Sequence, residues 1–422
     1  MTLFPQAPWK KISHGVFFFI SSGNIYLQKA SEYPDQNILE SVQDPSQAWN
    51  AISVGGYTDR CVFDHAKHPG FAPLAHQGGL SPASSTSVNW EKTFPIKPDI
   101  VMEGGNCIYD SSNGEIRNIP DLELLTTNAN FRSQLFSTMG DTSAATALAA
   151  RFGAQLQNEY PDLWPETLRG LIIHSAEWSS EMLFHKKLFD IPKKNKWPEI
   201  LRTFGYGVPQ LEKALFSKSN SVTLVFQDEI QPFFLDGSEI KTNEVRFHEL
   251  PWPITLLQEH MAGNAFLKIT LSYFVEPNPG SRLINAYRYP SCTLNFDICR
   301  ATESHSDFKK RINKLAREGK EYKTLSASET DNWVLGTNLR GQGSVKKDIW
   351  KGSAAEVAPK GQIAVFPGNG WWRLRKALKK YNSITRYSLI VSLTLPKQEI
   401  DIYTPISQMI QTKIPIMYES KK

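Results

Sequence analysis

The hydrophobic period of the chain changes about half way along. Val16-Phe-Phe-Phe-Ile20 and Ala51-Ile-Ser-Val54 are short continuous apolar runs, the pattern of strands buried on both faces of a parallel sheet. An alanine-rich stretch, Ser143 to Leu156, predicts a helix. A second helix begins near Pro165, where proline needs no backbone donor, and continues through Leu168, Leu171 and Ile172. Gly205-Tyr-Gly-Val-Pro209 breaks the chain, and Leu211, Ala214 and Leu215 mark one more short amphipathic stretch. After about Ser217 the period becomes two. Leu267, Ile269, Leu271 and Tyr273 alternate with Lys268, Thr270 and Ser272. Cys292, Leu294, Phe296 and Ile298 behave likewise, as do Tyr387, Leu389, Val391 and Leu393. Such alternation predicts strands with one buried and one wet face, packed as a β-sandwich. One helical insertion interrupts them: Phe308, Ile312 and Leu315 share a face, and Lys309, Lys310, Arg311, Lys314 and Arg317 crowd the other as a solvated surface. The fold class is therefore α/β, with a parallel-sheet domain over 1–216 followed by a mainly antiparallel β-sandwich domain over 217–422. No internal repeat is present.

Length agrees with this division, because 422 residues exceed one ordinary core. A net charge of +5 is small for the length, and no basic stripe is interleaved with aromatics, so no nucleic-acid partner is expected. No apolar run approaches the ~20 residues of a membrane span, and Val16–Ile20 is too short for the apolar region of a signal peptide; no membrane partner is expected. Cys61, Cys107, Cys292 and Cys299 lack zinc-ligand spacing and read as reduced thiols of a cytoplasmic protein. His65, His68 and His76 fall in a Pro/Gly-containing loop and read as surface residues. Asp110-Ser-Ser-Asn-Gly-Glu115 reads as a polar turn rather than a calcium loop. No metal site and no cofactor is predicted.

Gly140-Asp-Thr-Ser-Ala-Ala-Thr-Ala147 carries the chemistry. A serine at the mouth of a helix of small residues sits where backbone amides and the helix dipole favour developing negative charge. Taken alone, a Thr-Ser pair there is more often just a cap. Upstream, Phe19-Ile-Ser-Ser-Gly-Asn24 is an apolar strand running into a small-residue turn that ends in asparagine. Such a turn can aim a side-chain amide at the same anion.

Between these two segments lie Ala48-Trp-Asn-Ala-Ile-Ser-Val-Gly-Gly56 and Lys97-Pro-Asp-Ile-Val-Met102, and after them Gly205-Tyr-Gly207. In this order the motifs resemble the subtilisin-like (S8) serine peptidases over roughly residues 16–216. Pro161-Asp-Leu-Trp-Pro-Glu166, Ile173-His-Ser-Ala-Glu-Trp178, Leu271-Ser-Tyr-Phe-Val-Glu-Pro-Asn-Pro-Gly280 and Gly370-Trp-Trp372 extend the likeness to a bacterial branch with a C-terminal β-domain. The resemblance implies a subtilisin-like endopeptidase acting on a peptide or protein substrate through an acyl-enzyme. Ser143 would be the nucleophile, and Asn24 with the Ser143 amide would form the oxyanion hole. There are departures. Asp141 stands where the family has glycine, and Ala147 where it has proline. Asn24 and Ser143 are 119 residues apart (143 − 24), which predicts an insertion within Cys61–Gln77 or Asp110–Asn130.

In the family the catalytic aspartate and histidine precede the asparagine. The 23 residues before Asn24 contain no Asp and one histidine, His14, two residues ahead of the first strand. Neither it nor His174, read as a packed residue after the nucleophile helix, fits the general base. No triad Asp or His is found. The resemblance thus implies an N-terminally truncated subtilase, inactive as an isolated chain, whose first strand presents an unpaired apolar edge. The alternatives are a pseudoprotease serving as a binding or scaffold module, and one half of a split protease completed in trans by an N-terminal protease fragment.

Overall fold

The computed structural model describes residues 17–184, 196–260, 263–280, 288–318, 332–340, 342–396 and 400–410. It is a mixed α/β structure with several sheets. The chain forms two compact units, Val16–Asp162 with Ser175–Ala214, and Leu163–His174 with Leu215–Lys422. The sequence reading drew one boundary, after residue 216; the excursion of Leu163–His174 into the later unit was not part of it.

In the earlier unit, β1 (Phe19–Ser21) and β4 (Ile100–Glu103) both pair in parallel with β2 (Ile52–Thr58), and β3 (Gly79–Leu80) pairs with it antiparallel. β2 has neighbours on both sides and is almost wholly buried. Helix α1 (Asp141–Glu159) buries Ala144, Ala145, Ala149, Phe152 and Leu156. Its Gly153 lets the helix approach β1 closely, since a Cβ there would lie 2.6 Å from the Phe19 ring. β1 itself corrects the expectation of burial on both faces. Its residues are only half-buried, and Phe18 is 61% exposed. The reason is topological: among the described residues β1 pairs with β2 alone, which makes it an edge.

A buried ion pair ties the sheet together. Lys97 Nζ lies 2.6 Å from Asp99 Oδ2 and donates to Ala51 O at 3.2 Å, while the same Asp99 oxygen accepts from Ser53 N at 2.8 Å. Helix α2 (Pro165–Ser175) then leaves for the later unit. Helix α3 (Trp197–Phe204) returns, burying Ile200, Leu201 and Phe204. Gly205 and Gly207, at φ +56° and +93°, turn the chain back under β4. Segments within Cys61–Gln77 and Asp110–Asn130 meet. Strands Ala72–Pro73, Ile108–Asp110 and Glu115–Arg117 form a small sheet over Phe63, Phe71, Ile108, Ile119 and Leu122. The hairpin of β5 (Leu124–Thr127) and β6 (Phe136–Met139) leads into α1.

The later unit contains β7 (Ser221–Ile230), β8 (Arg246–Glu249), β9 (Asn264–Tyr273), β10 (Leu294–Ile298), β11 (Val345–Ser353), β12 (Gln362–Pro367) and β13 (Thr385–Thr394). They form antiparallel sheets ordered β7-β13-β9-β11 and β8-β12-β10. Leu267, Ile269, Leu271 and Tyr273 are fully buried, but so are Thr270 and Ser272 on the face expected to be wet. Helix α2 covers that face with polar groups of its own. Arg169, fully buried, donates to Ser272 Oγ (3.0 Å), Ser344 Oγ (3.2 Å), Ser344 O (3.1 Å) and Tyr273 O (2.6 Å). His174 hydrogen-bonds Thr270 Oγ1 at 2.9 Å and Ser392 Oγ at 2.6 Å, so it is a packed residue, satisfied on both ring nitrogens. Alternation therefore marked a polar face correctly, while the polarity serves a helix rather than water.

Helix α4 (His305–Glu318) buries Phe308 and Ile312 and exposes Lys309, Lys310, Lys314 and Arg317. Arg311 departs from the expected basic face: it turns inward to Asp297 and to Glu303 Oε1 at 2.7 Å.

One contact between strands of the two sheets makes stability depend on pH. His248 on β8 meets the Tyr387 hydroxyl of β13 at 2.7 Å, and its ring lies 4.8 Å from that of Phe226. Burial holds its pKa down at about 4 against the opposing pull of Asp228. Burial also lowers that of His174. As pH falls below about 6.5, the unfolded chain binds a proton that folded His248 refuses until about 4. Its contribution is therefore complete above pH 6.5 and is lost towards pH 4, to the extent of about 3 kcal/mol. Urea denaturation at pH 7 and pH 4.5 should show this slope, and His248→Gln should reduce it by about 3 kcal/mol, leaving the part of the same sign that His174 contributes.

Candidate functional site

The site grows from the junction of β6 and α1. Gly140 is extended, and Asp141 adopts φ +67°, a left-handed conformation that aspartate tolerates better than most residues. This explains how aspartate stands where the family has glycine. The first amides of a helix have no partner inside it. Here Asp141 N–H is taken by Gly104 O at 2.7 Å and Thr142 N–H by Asn24 Oδ1 at 3.1 Å. The amide of Ser143, next in line, has no hydrogen-bond partner among the described residues. Its hydroxyl has none either, and the side chain is exposed.

Asn24 arrives from the turn after β1. Ser22 N–H bonds Val54 O at 2.8 Å, and Ser85 Oγ donates to Ser22 O at 2.8 Å, which hold the turn against β2 and the segment after β3. The buried Thr142 fixes the asparagine's orientation. Its hydroxyl stands 2.5 Å from Asn24 Oδ1 and its backbone N–H donates to the same oxygen. With both donors on the carbonyl side of the amide, Nδ2 must lie on the other side, and Nδ2 has no partner among the described residues. Asn24 Nδ2 and Ser143 N–H are thus two donors without a partner among the described residues, and the Ser143 side chain is exposed. Thr142 as the group that orients Asn24 was missed by the sequence reading. The available signal was its place directly before Ser143, at the second helical amide.

The surroundings are acidic. A small, shallow cleft open to solvent, lined by residues including Ser81, Gly104, Gly105, Asn106, Glu123 and Asp141, reaches the start of α1 at Asp141 without including Ser143 or Asn24. Burial and then the charge of Glu123 raise the pKa of Asp141. Cys107 at the same cleft is buried, and burial, with the charges of Asp141 and Glu123, pushes its thiol up to about 12. That excludes it as a competing nucleophile near neutral pH.

The other histidines and the Asp110 stretch have local partners of their own where they are described. His65 stacks on Phe63 at 4.3 Å, and His68 lies edge-on to Phe71 at 6.4 Å. His14 lies outside the described residues. Asp110 Oδ1 is occupied by Ser112 N (2.8 Å) and Oγ (2.7 Å), which makes the Asp110–Glu115 stretch a local turn. Among the described residues no group of three His, Cys, Asp or Glu side chains is placed to hold a metal ion. The cysteines are free thiols, and no described helix is long and apolar enough to cross a membrane.

Comparison with known proteins supplies the frame for this geometry. The uncharacterized protein y4bN of Sinorhizobium fredii (strain NBRC 101917 / NGR234) is 28% identical over 218 residues, covering 50% of this chain and 48% of that protein. The chain thus spans about half the length of that curated relative. Residues 6–207 match the Subtilase family, Peptidase_S8, a stretch that contains Asn24, Thr142, Ser143 and the Gly205-Tyr-Gly207 turn. Through that stretch, which is just under half of the chain, the protein is similar to the subtilase family.

Proposed function

We propose that this chain carries the nucleophile and oxyanion half of a serine endopeptidase, completed by an aspartate and a histidine from a separate segment. The single observation that supports this most is the hydrogen bonding of Asn24 Oδ1 to Thr142, which brings the asparagine to the residue before the exposed Ser143 and leaves Asn24 Nδ2 and Ser143 N–H without partners among the described residues. In this reading Ser143 Oγ attacks a peptide carbonyl carbon and its proton passes to the incoming histidine. The two N–H groups stabilise the tetrahedral oxyanion. Collapse expels the amine, which takes the proton, and leaves an acyl-enzyme that water hydrolyses. In this reading the complementing segment adds a parallel strand at the edge of β1, which among the described residues pairs with β2 alone. In the same reading β1, β2 and β4 form an incomplete subtilisin-like core, and the later sheets form a sandwich with α4 inserted.

Losing the base from such a triad lowers turnover by about 10⁶, so the chain alone should not hydrolyse peptides measurably. The test is labelling with a fluorophosphonate probe, with Ser143→Ala as control. The chain alone should label no more than the control. A polypeptide bearing the family's Asp and His segments should restore labelling, and Asn24→Leu should then reduce its rate by about 10²–10³. Strong Ser143-dependent labelling of the chain alone would place the base within it and overturn the proposal. A chain that no such segment activates would be a binding module instead, a reading supported by the Asp141 carboxyl next to the nucleophile.

A further inference from the structure

From Gly370 to Arg386 the sequence contains no carboxylate, and Arg373, Arg375, Lys376, Lys379 and Lys380 supply five cations within eight residues. The segment is held firmly at its start. Trp371 and Trp372 are buried; their indole N–H groups donate to Glu276 O (2.8 Å) and Glu276 Oε2 (3.0 Å), and their backbone amides bond Pro290 O and Ser291 O at 3.0 Å each. Beyond this anchor the chain forms two short helical turns, Trp371–Leu374 and Lys376–Leu378, and stops at Lys379 with φ +53°. Three large aliphatics of the segment face solvent: Leu374 is 64% exposed, Leu378 38% and Ile384 57%.

The cations are poorly neutralised. Arg373 donates to Asn369 Oδ1 (3.2 Å), Arg375 to Asn278 Oδ1 (2.6 Å) and Pro279 O, and Lys376 to Ser238 O (2.8 Å), all uncharged partners. Among the described residues, Lys380 alone has a carboxylate in reach, Glu276 at 3.4 Å. A knuckle of exposed leucines and isoleucine set among cations, of which Lys380 alone faces a carboxylate among the described residues, has the composition of a surface that sits at a lipid interface, aliphatics in the headgroup boundary and cations on anionic headgroups. It suits nucleic acid less well, because the two indoles that could stack on bases are buried.

We propose that the 373–384 knuckle docks this protein on anionic phospholipid surfaces. The sequence reading expected no membrane partner because it sought a spanning segment; peripheral docking requires none. The test is co-sedimentation of the full chain with vesicles of phosphatidylcholine alone and of phosphatidylcholine with 30% phosphatidylglycerol. Binding should need the anionic lipid and weaken with salt. Lys376→Gln/Lys379→Gln/Lys380→Gln should weaken it by about a hundredfold, at roughly fivefold per cation. Leu374→Ser/Leu378→Ser should weaken the binding that survives at high salt while leaving the salt slope unchanged. Equal loss of binding with Lys309→Gln/Lys310→Gln/Lys314→Gln on α4 would show only diffuse charge and overturn the proposal. So would an absence of binding to anionic vesicles, or binding to single-stranded DNA that the same knuckle variants abolish while vesicles go unbound.

Discussion

Lys97→Ala is expected to destabilise the protein by about 3–5 kcal/mol. Lys97 is 1% exposed and Asp99 9%, so neither charge has water to fall back on. Removing the ammonium leaves Asp99 held by Ser53 N–H as its remaining close donor, a carboxylate buried between β2 and β4 with its charge uncompensated. A carboxyl in that position either accepts the desolvation cost or takes up a proton. The informative comparison is the double variant Lys97→Met/Asp99→Asn. It removes both charges, fills the volume of the lysine stem and keeps an oxygen for Ser53. It should recover at least half of the single variant's loss. Guanidinium unfolding followed by tryptophan fluorescence reads both. If the single and double variants are equally unstable, the ion pair is not what the Lys-Pro-Asp segment supplies.

Gly207→Ala is the second large effect, again about 3–5 kcal/mol. A Cβ at this position would stand 2.2 Å from Glu177 O and 2.4 Å from Glu177 C, both backbone atoms. That backbone cannot yield, because Glu177 and Val208 exchange hydrogen bonds of 3.0 and 2.8 Å and Gly207 O accepts from Val101 N at 3.1 Å. The conformation adds strain, since φ is +93°. A control separates strain from clash. Gly237, at φ +57°, has nothing within 4 Å of an added Cβ, so Gly237→Ala should cost only about 1 kcal/mol. Similar losses at the two positions would mean that the clash at Gly207 is relieved by movement.

How much of this was readable from the chain depends on what each signal measures. β2 and α1 were legible because a continuous apolar run and a run of small residues leave few alternatives. The meeting of the turn at Asn24 with the helix start at Thr142 was suggested only by the order of motifs, since nothing in local composition joins segments so far apart. Thr142 passed unnoticed because its role is a hydrogen bond to a residue 118 positions away. Periodicity reports which face of a strand is polar but not what meets it, so the covering of Thr270 and Ser272 by Arg169 and His174 was invisible. Arg311 follows the same logic: a helical wheel places it among exposed lysines, and only Asp297 and Glu303 reveal that it faces inward.

The path of α2 has a consequence for how this protein can be cut or inherited. The helix that covers Lys268, Thr270, Ser272 and Ser392 is encoded ahead of Ser175–Ala214, which fold with the earlier unit. No single junction in the gene therefore separates the units. A fragment starting at residue 217 would carry the sheet without its cover and leave a row of hydroxyls and a lysine on a bare face. One ending there would carry a helix with no sheet beneath it. Recombination at one point can neither donate the later half to another chain nor remove it cleanly, which binds the two halves into one heritable block.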